Sequence, residues 1–577
     1  MGKKNVWLQM LAYFKTALPL LALSMFLAIV ISIADLVNPY ITKVVIDEYI
    51  GKKNAQLNIY MLGGLYLFFV VLGAVLQYVQ VNILNYTGQK IIHLIRMQVF
   101  SHIQKMSLKF FDTNSTGSIL TRATNDIEAI SELYSGVIID LFKDVFMIAG
   151  IMGAMLLMNV RIALLNFCII PLIVVITFLF NKKAKANFRW VRSLIARINA
   201  FFAENISGMK LVQIFNKQGE KYGEYSEIND EYNKAAVTQV RLNAIFRPSS
   251  EFVNSLAISI LIWFCAGDIF GGALEFGVLF AFITYSKKFF APINDLADKF
   301  TTIQSGRVSA ERIFELLDNS ENLEDMAAGR HVPAPKGEIE FSNVWFSYDG
   351  EEYVLKNVSF KIKANETVAF VGQTGSGKST IINLMGRFYE VQKGEILLDG
   401  VNIKEYRLDE LRKFIAVVMQ DVFLFAGDIK SNIRLNNSEI TDEDIENAAK
   451  YVNANPFISE LPHKYDEPVM ERGATLSAGQ RQLLSFARAV AFDPPVLVLD
   501  EATASIDTEN EEIIQESLKK ISKNRTTVII AHRLSTIKNA DNIIVIHAGE
   551  IAEQGRHEEL LAKDGIYKKL YDIQSPI

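Results

Sequence analysis

Long apolar runs dominate the first half of this chain, and short alternating ones the second. Up to about residue 300 several runs are long enough to cross a bilayer, which takes about 20 residues at 1.5 Å each. They predict six spans near 18–40, 58–83, 134–158, 162–181, 246–267 and 274–293. Before the first span, Val6-Trp7-Leu8-Gln9-Met10-Leu11-Ala12-Tyr13-Phe14 is amphipathic and aromatic, which suits a helix lying along the membrane interface. Links after spans one, three and five are short. Those after spans two and four run to about 50 and 65 residues with helical periodicity, too long for turns.

The long links carry Lys90, Arg96, Lys105, Lys109 and Arg122, then Lys182, Lys183, Lys185, Arg189, Arg192, Arg197 and Lys210. Apart from Lys52 and Lys53 the short links are poor in basic residues, so the positive-inside rule places the long links and both termini in the cytoplasm. Spans two to five are therefore expected to continue as cytoplasmic stalks. Turn and cap residues at Phe111–Ser118 and at Ile214–Glu220 mark the expected reversals.

Composition agrees with a membrane protein. The chain has 577 residues, 50% of them hydrophobic, and a mean hydropathy of +0.19, too apolar for an ordinary soluble enzyme. A net charge of −5 offers no general basic surface for nucleic acid. The two cysteines, Cys168 and Cys265, both lie in apolar spans and cannot build a disulfide framework or metal cluster. The apolar run after Lys3 and Lys4 is too long for a cleaved signal and lacks a small-residue cleavage site.

The second half carries the chemistry. Gly372-Gln373-Thr374-Gly375-Ser376-Gly377-Lys378-Ser379 fits the phosphate-binding pattern G-x-x-x-x-G-K-[ST] at every fixed position. Thr367–Val371 before it reads as a buried strand, and Thr380–Leu384 after it as a helix. Backbone N–H groups of such a turn point at phosphate oxygens. Lys378 supplies a point charge, and the Ser379 hydroxyl suits Mg²⁺. Pro495-Val496-Leu497-Val498-Leu499-Asp500-Glu501 reads as a second buried strand ending in two carboxylates. Asp500 suits the Mg²⁺ shell, and Glu501 suits a general base for an attacking water. Leu476-Ser477-Ala478-Gly479-Gln480 opens a helix, a second candidate anion site that by itself is only a well-capped helix.

In order and spacing these motifs resemble the ATP-binding cassette (ABC) family over essentially the whole chain. The resemblance implies an α-helical six-span transmembrane domain with long cytoplasmic helical extensions and coupling-helix loops, residues 1–320. A linker at 321–337 leads to an α/β P-loop ATPase domain of the ABC type, residues 338–577. It implies ATP and Mg²⁺ as ligands. ATP contacts are expected from Gly372 through Thr380, and the family signature, Ser477, Ala478, Gly479 and Gln480, is expected to complete a partner's site. Tyr348 resembles the aromatic that stacks on adenine, with core packing as the bland alternative. Gln420 resembles the glutamine that senses Mg²⁺ beside Ser379 and Asp500. His532 resembles the switch histidine on the γ-phosphate, and Asp507 the acid at the dimer interface.

One phosphate loop and one signature per chain imply a half-transporter that must dimerise. Ala478 stands where the family usually has Gly, Met470 where Gly is common, and Ala504-Ser505-Ile506-Asp507 departs from the usual Ser-Ala-Leu-Asp. If position 478 needs a positive φ, Ala costs about 1 kcal/mol or more. A weakened signature beside an intact Glu501 and His532 resembles the hydrolysis-competent subunit of a heterodimeric exporter, which is favoured over a homodimer. The expected activity is ATP-driven export of hydrophobic or amphipathic compounds across a bacterial plasma membrane. A lipid flippase is the alternative, and an ATP-gated protein that does not pump is a weaker one. Asp35 invites a cargo role or a helix partner; Gln77, Gln80 and Asn82 read as interhelical contacts.

Overall fold

The computed structural model describes residues 6–51, 59–319, 329–500, 508–530 and 537–574. The chain forms two units. One takes the residues up to His102 together with Gly117–Asp318; the other takes Ile103–Thr116 and the chain from Asn319 onward.

The first unit is helical: α1 Val6–Phe14, α2 Leu18–Val44 and α3 Ile59–Gln104. After the short α4, Leu108–Thr113, which belongs to the second unit, come α5 Thr116–Met158, α6 Val160–Phe167 and α7 Ile170–Ser207. Next are α8 Met209–Ile214, α9 Gln218–Phe270 and α10 Phe276–Leu317. Among the described residues four stretches are long and apolar enough to cross a membrane: Leu18–Ile50, Ile59–Gln104, Thr116–Met158 and Gln218–Phe270. The predicted fourth and sixth spans lie on α6–α7 and on α10. In α10 the charges Lys287, Lys288, Asp295 and Lys299 interrupt the apolar run.

The stalks are continuous helix. α3 has 46 residues, about 70 Å at 1.5 Å each, more than twice a hydrocarbon core. The first reversal falls at Asn114, whose backbone and side-chain amides both donate to the Phe110 carbonyl, at 3.1 and 2.9 Å. The second follows α8 at Asn216, which turns the chain with φ 50°, inside the expected window.

Within this unit α7 and α9 run side by side. The Asn187 amide donates to the Ala235 carbonyl at 3.1 Å, Arg197 meets Glu231 at 2.8 Å, and Phe180 stacks on Phe246 at 4.0 Å. The amphipathic α1 packs by one face. Met10 is buried, the Tyr134 hydroxyl donates to its carbonyl at 2.8 Å, and the Tyr13 ring stacks on Phe314 at 6.0 Å. Leu8 and Leu11 on its other side stay exposed, which leaves them for the interface. Gln80 is buried and reaches the Ser24 carbonyl at 3.5 Å, an interhelical contact as expected; Asn82 instead donates to Tyr78 of its own helix.

The second unit carries two main sheets. β1 Ile339–Phe346, β2 Leu355–Ile362, β4 Lys393–Leu398 and β5 Val401–Asn402 form an antiparallel sheet in the order β2-β1-β4-β5. β3 Thr367–Val371, β6 Ile415–Val418 and β9 Val496–Asp500 belong to a six-stranded sheet ordered β12-β11-β3-β10-β9-β6. Its other members are β10 Thr526–Ile530, β11 Asn542–His547 and β12 Glu550–Gly555. Only β12 runs antiparallel. A two-stranded ribbon pairs β7 Gly427–Asp428 with β8 Pro468–Val469.

Successive side chains of a strand point to opposite faces. Val368, Phe370, Val496, Val498, Val528 and Ile530 enter the core shared with the antiparallel sheet. Ala369, Val371, Leu497, Leu499 and Ile529 enter a second core with the helices on the other face. A sheet covered on both faces needs unbroken apolar runs, which is why these strands show no alternation in sequence. Each fully buried Val or Leu contributes about 1.5–3 kcal/mol.

Candidate functional site

The phosphate loop joins β3 to helix α11, Lys378–Met385. The parallel strand β10 beside β3, and β9 beyond it, end level with it: Phe370 pairs with Ile530, and Ile530 with Asp500. Asp500 is therefore about 10 Å from the loop strand, two strand spacings across the C-terminal edge of the sheet. The next strand over, β6, ends with Val418 opposite Leu499 and delivers Gln420, exposed, two residues later. Ligands of open α/β sheets gather at this edge.

Close packing shapes the loop. A Cβ on Gly372 would lie 2.3 Å from the Ile546 carbonyl oxygen, so only glycine lets the turn pass this near β11. Gly377 caps the helix with φ 108°. Lys378 is buried, and its ammonium donates to the carbonyls of Gly372 and Gln373 at 2.7 and 3.0 Å. It thus lies across the loop as a positive floor. The Ser376 hydroxyl is buried without a hydrogen-bond partner among the described residues, while Gln373, Thr374, Gly375 and Ser379 are exposed. A concave turn of N–H donors, a buried cation and an orphaned hydroxyl at a helix N-terminus fit a polyphosphate. The Ser379 hydroxyl, the Asp500 carboxylate and the Gln420 amide are oxygen donors of the kind Mg²⁺ takes alongside phosphates and water.

Tyr348 follows β1 and stands over α11. Its hydroxyl donates to Thr380 Oγ1 at 3.2 Å and accepts from the Asn383 amide at 3.3 Å. It is 39% exposed beside the helix that begins at the phosphate loop. A partly exposed aromatic at this place is compatible with stacking on a base.

The signature stretch lies at the start of helix α12, Ala478–Ala491. Ser477 is its N-cap: Ser477 Oγ accepts from the Gln480 N–H at 3.2 Å, and Gln480 Oε1 accepts from the Ser477 N–H at 2.9 Å. Ser477 is exposed and Gly479 buried. Ala478 is the first helical residue and is absent from the positive-φ positions. The backbone cost that would attach to Ala there does not arise. Met470 is likewise unstrained, with φ −72°.

Glu501, His532 and Asp507 lie outside the described residues, as do Ala504–Ile506. Asp35 has a partner that sequence reasoning left open: Lys288 Nζ lies 3.5 Å from its carboxylate and 2.8 Å from its carbonyl. Missed altogether were the contacts of Tyr389, whose ring meets Tyr348 and whose hydroxyl donates to Asp112, and the Lys299–Asp144 pair at 3.0 Å. The two ammonium groups could have been found as charges interrupting an apolar span. Nothing local marks Tyr389.

Comparison with known proteins agrees over both units. Residues 21–293 match the ABC transporter transmembrane region, and residues 355–504 match the ABC transporter ATPase family. A probable multidrug resistance ABC transporter ATP-binding/permease protein of Bacillus subtilis, YheH, is 42% identical over 90% of this chain and 77% of its own length. An ATP-dependent lipid A-core flippase of Desulfotalea psychrophila is 36% identical over 96% of both. The solved structure of a bacterial Atm1-family ABC exporter with ATP bound superposes with a TM-score of 0.80 at 26% identity, covering 97% of this chain and 99% of that one.

Proposed function

The chain belongs to the ABC transporter family, a multi-pass membrane protein with its ATPase region fused behind, and it couples ATP hydrolysis to export; we propose that its cargo is hydrophobic or amphipathic compounds of the multidrug type. The observation that carries this reading is an apolar pocket of about 450 Å³ between α7 and α9. Leu172, Ile176, Pro248, Phe252, Val253 and Leu256 line it, with Ser249 as the polar member. Such a site binds by burial of apolar surface and discriminates weakly between cargoes of similar size. The likeness to YheH supports it.

ATP binds between the phosphate loop, with Lys378 over the outer phosphates, and Tyr348 under adenine. Mg²⁺ is held by Ser379, Asp500 and Gln420. Glu501 acts as the base for the attacking water, and His532 contacts the γ-phosphate. The Ser477–Gln480 helix start serves the ATP of a second cassette, so the working unit is a dimer with both termini of each chain cytoplasmic. The partner is a different half-transporter. That reading is supported by Ala478 standing at the start of the signature helix, where the family usually has Gly, beside an intact phosphate loop in this chain.

Lipid flipping is the second reading, supported by the flippase relative. Both are tested with the full chain in proteoliposomes, beside Glu501→Gln. ATP-dependent Hoechst 33342 transport, lost in the variant, supports drug export. Stimulation of turnover by lipid headgroups alone, without dye transport, selects the flippase. The dimer is tested by mass: a folded chain that binds ATP but turns over only with a second subunit supports the heterodimer, and full turnover by a pure homodimer overturns it.

A further inference from the structure

Tyr389 joins Tyr348, at the edge of the ATP site, to a segment of the second unit that the site does not itself use. It follows α11 by four residues and is buried at 8% exposure. Its ring packs edge-on against Tyr348, with centroids 5.0 Å apart and planes at 89°, and against Phe346 at 5.7 Å. Its hydroxyl donates to Asp112 Oδ2. Asp112 belongs to α4, in the segment that links α3 to α5 and lies with the ATPase unit. Leu108 of the same short helix packs against the core between the two sheets.

The turn that presents Tyr389 is rigid. Arg387, buried with φ 47°, donates to the Tyr406 carbonyl at 3.3 Å and to Glu390 at 3.1 Å. Tyr348 is fastened to α11 through Thr380 and Asn383. An unbroken run of contacts therefore leads from the half-exposed Tyr348 through the Tyr389 ring to the carboxylate of α4. Interdigitated aromatic contacts do not deform continuously, so a tilt of Tyr348 must be taken up by Tyr389. Any shift of α4 passes by chain continuity into α3 and α5.

We infer that Tyr389 is a positioning residue that reports the base of the bound nucleotide, sensed at Tyr348, to the α4 segment through its bond to Asp112. The efficiency of coupling then depends on the base as well as on the triphosphate. This rests on Tyr348 being the adenine platform. The physical warrant is differential contact: a purine that covers the Tyr348 ring favours one arrangement of the chain of rings more than a small pyrimidine does.

The test uses the full-length transporter in lipid nanodiscs, with its partner subunit if turnover requires one. The readout is stimulation of nucleotide hydrolysis by Hoechst 33342 at saturating ATP and at saturating CTP. The unmodified protein should show at least threefold greater stimulation with ATP than with CTP. Tyr389→Phe keeps the ring and loses the bond; it should leave the KM for ATP within twofold and bring stimulation by the two nucleotides together. Asp112→Asn keeps an acceptor and should retain the difference, while Asp112→Ala should lose it. Stimulation that falls by the same factor for both nucleotides in Tyr389→Phe means mere docking and overturns the inference, as does a persisting ATP advantage. Tyr348→Ala tests the underlying reading separately: an unchanged KM for ATP removes the platform, whereas a raised KM with Tyr389→Phe fully coupled removes only the inference.

Discussion

Lys288 of α10 and Asp35 of α2 form an ion pair at 3.5 Å, reinforced by the 2.8 Å hydrogen bond from the same ammonium to the Asp35 carbonyl. The Tyr285 hydroxyl donates to the neighbouring Leu36 carbonyl at 2.6 Å. These bonds clamp α10 onto the carbonyls just before Pro39, in a stretch where α2 carries a proline inside its helix. Asp35 thus works as the anchor of a helix pair.

Removing one partner strands the other charge at span depth, at a cost of up to about 3 kcal/mol. Asp35→Asn and Lys288→Met are each expected to lower the melting midpoint and dye export. The double variant should recover more than half of the loss. A double-mutant cycle on detergent-stable protein measures this; strictly additive losses would show that the two charges act separately.

The C-terminal part of α10 passes very close to α5. A Cβ on Gly306 would lie 2.2 Å from Leu133 Cδ1 and 3.1 Å from the Ala129 carbonyl. Nearby, Ser309 donates to the buried Asp126 at 2.7 Å, and Arg312 lies 3.6 Å from the same carboxylate. Gly306→Ala overpacks this seam, which typically costs about 1–3 kcal/mol. Thermal unfolding should show the drop, and adding Leu133→Ala should restore most of it by vacating the colliding methyl.

In the ATP site two single-methyl changes should differ sharply. Gly372→Ala drives a methyl into the Ile546 backbone, which cannot rotate away. ATP affinity is expected to fall tenfold or more, about 1.4 kcal/mol. Ala478→Gly removes a methyl from an unstrained first helical position, so its effect on stability should stay within about 1 kcal/mol. Equilibrium nucleotide binding and melting midpoints on the same preparations check both; equal ATP affinity in Gly372→Ala and the parent refutes the close-approach argument.

His557 gives the ATPase unit a pH dependence. Burial, with Lys538 nearby, holds its imidazolium pKa below the ordinary histidine value, partly offset by Glu558. Its Nδ1 lies 2.7 Å from the Tyr567 hydroxyl, within hydrogen-bond distance. The unfolded chain then binds the proton more readily than the folded one. Its contribution to stability is complete above about pH 6.5 and is lost as pH falls through the folded pKa. The melting midpoint should drop between pH 7.5 and 5.5, and His557→Gln should reduce that drop.

The parts legible in the sequence are those with local causes. Gly372–Ser379 could be recognised because a phosphate turn needs those residue types within one loop. Val496–Leu499 could be recognised as a buried strand because both faces of a parallel sheet are covered. Ser477 and Gln480 announce a helix start, since the capping box is a contact between near neighbours. The reversal at Asn216 was marked by turn residues. The pairing of Asp35 with Lys288 was not, because the two are far apart in the chain and either charge alone is equally consistent with a cargo site. Whether Ala478 is strained was left conditional on its φ, which residue type does not specify, and the condition is not met.

The sequence by itself determined the membrane-spanning character of the first half, the order of motifs in the second and the chemistry of the phosphate loop. Each follows from hydropathy, periodicity or spacing within about ten residues. Only the tertiary structure decided that Ala478 sits unstrained at a helix start, that Lys288 holds Asp35, and that Tyr389 touches both Tyr348 and Asp112. Those relationships depend on where separate helices and strands come to rest, which long-range packing sets and no short stretch of chain encodes.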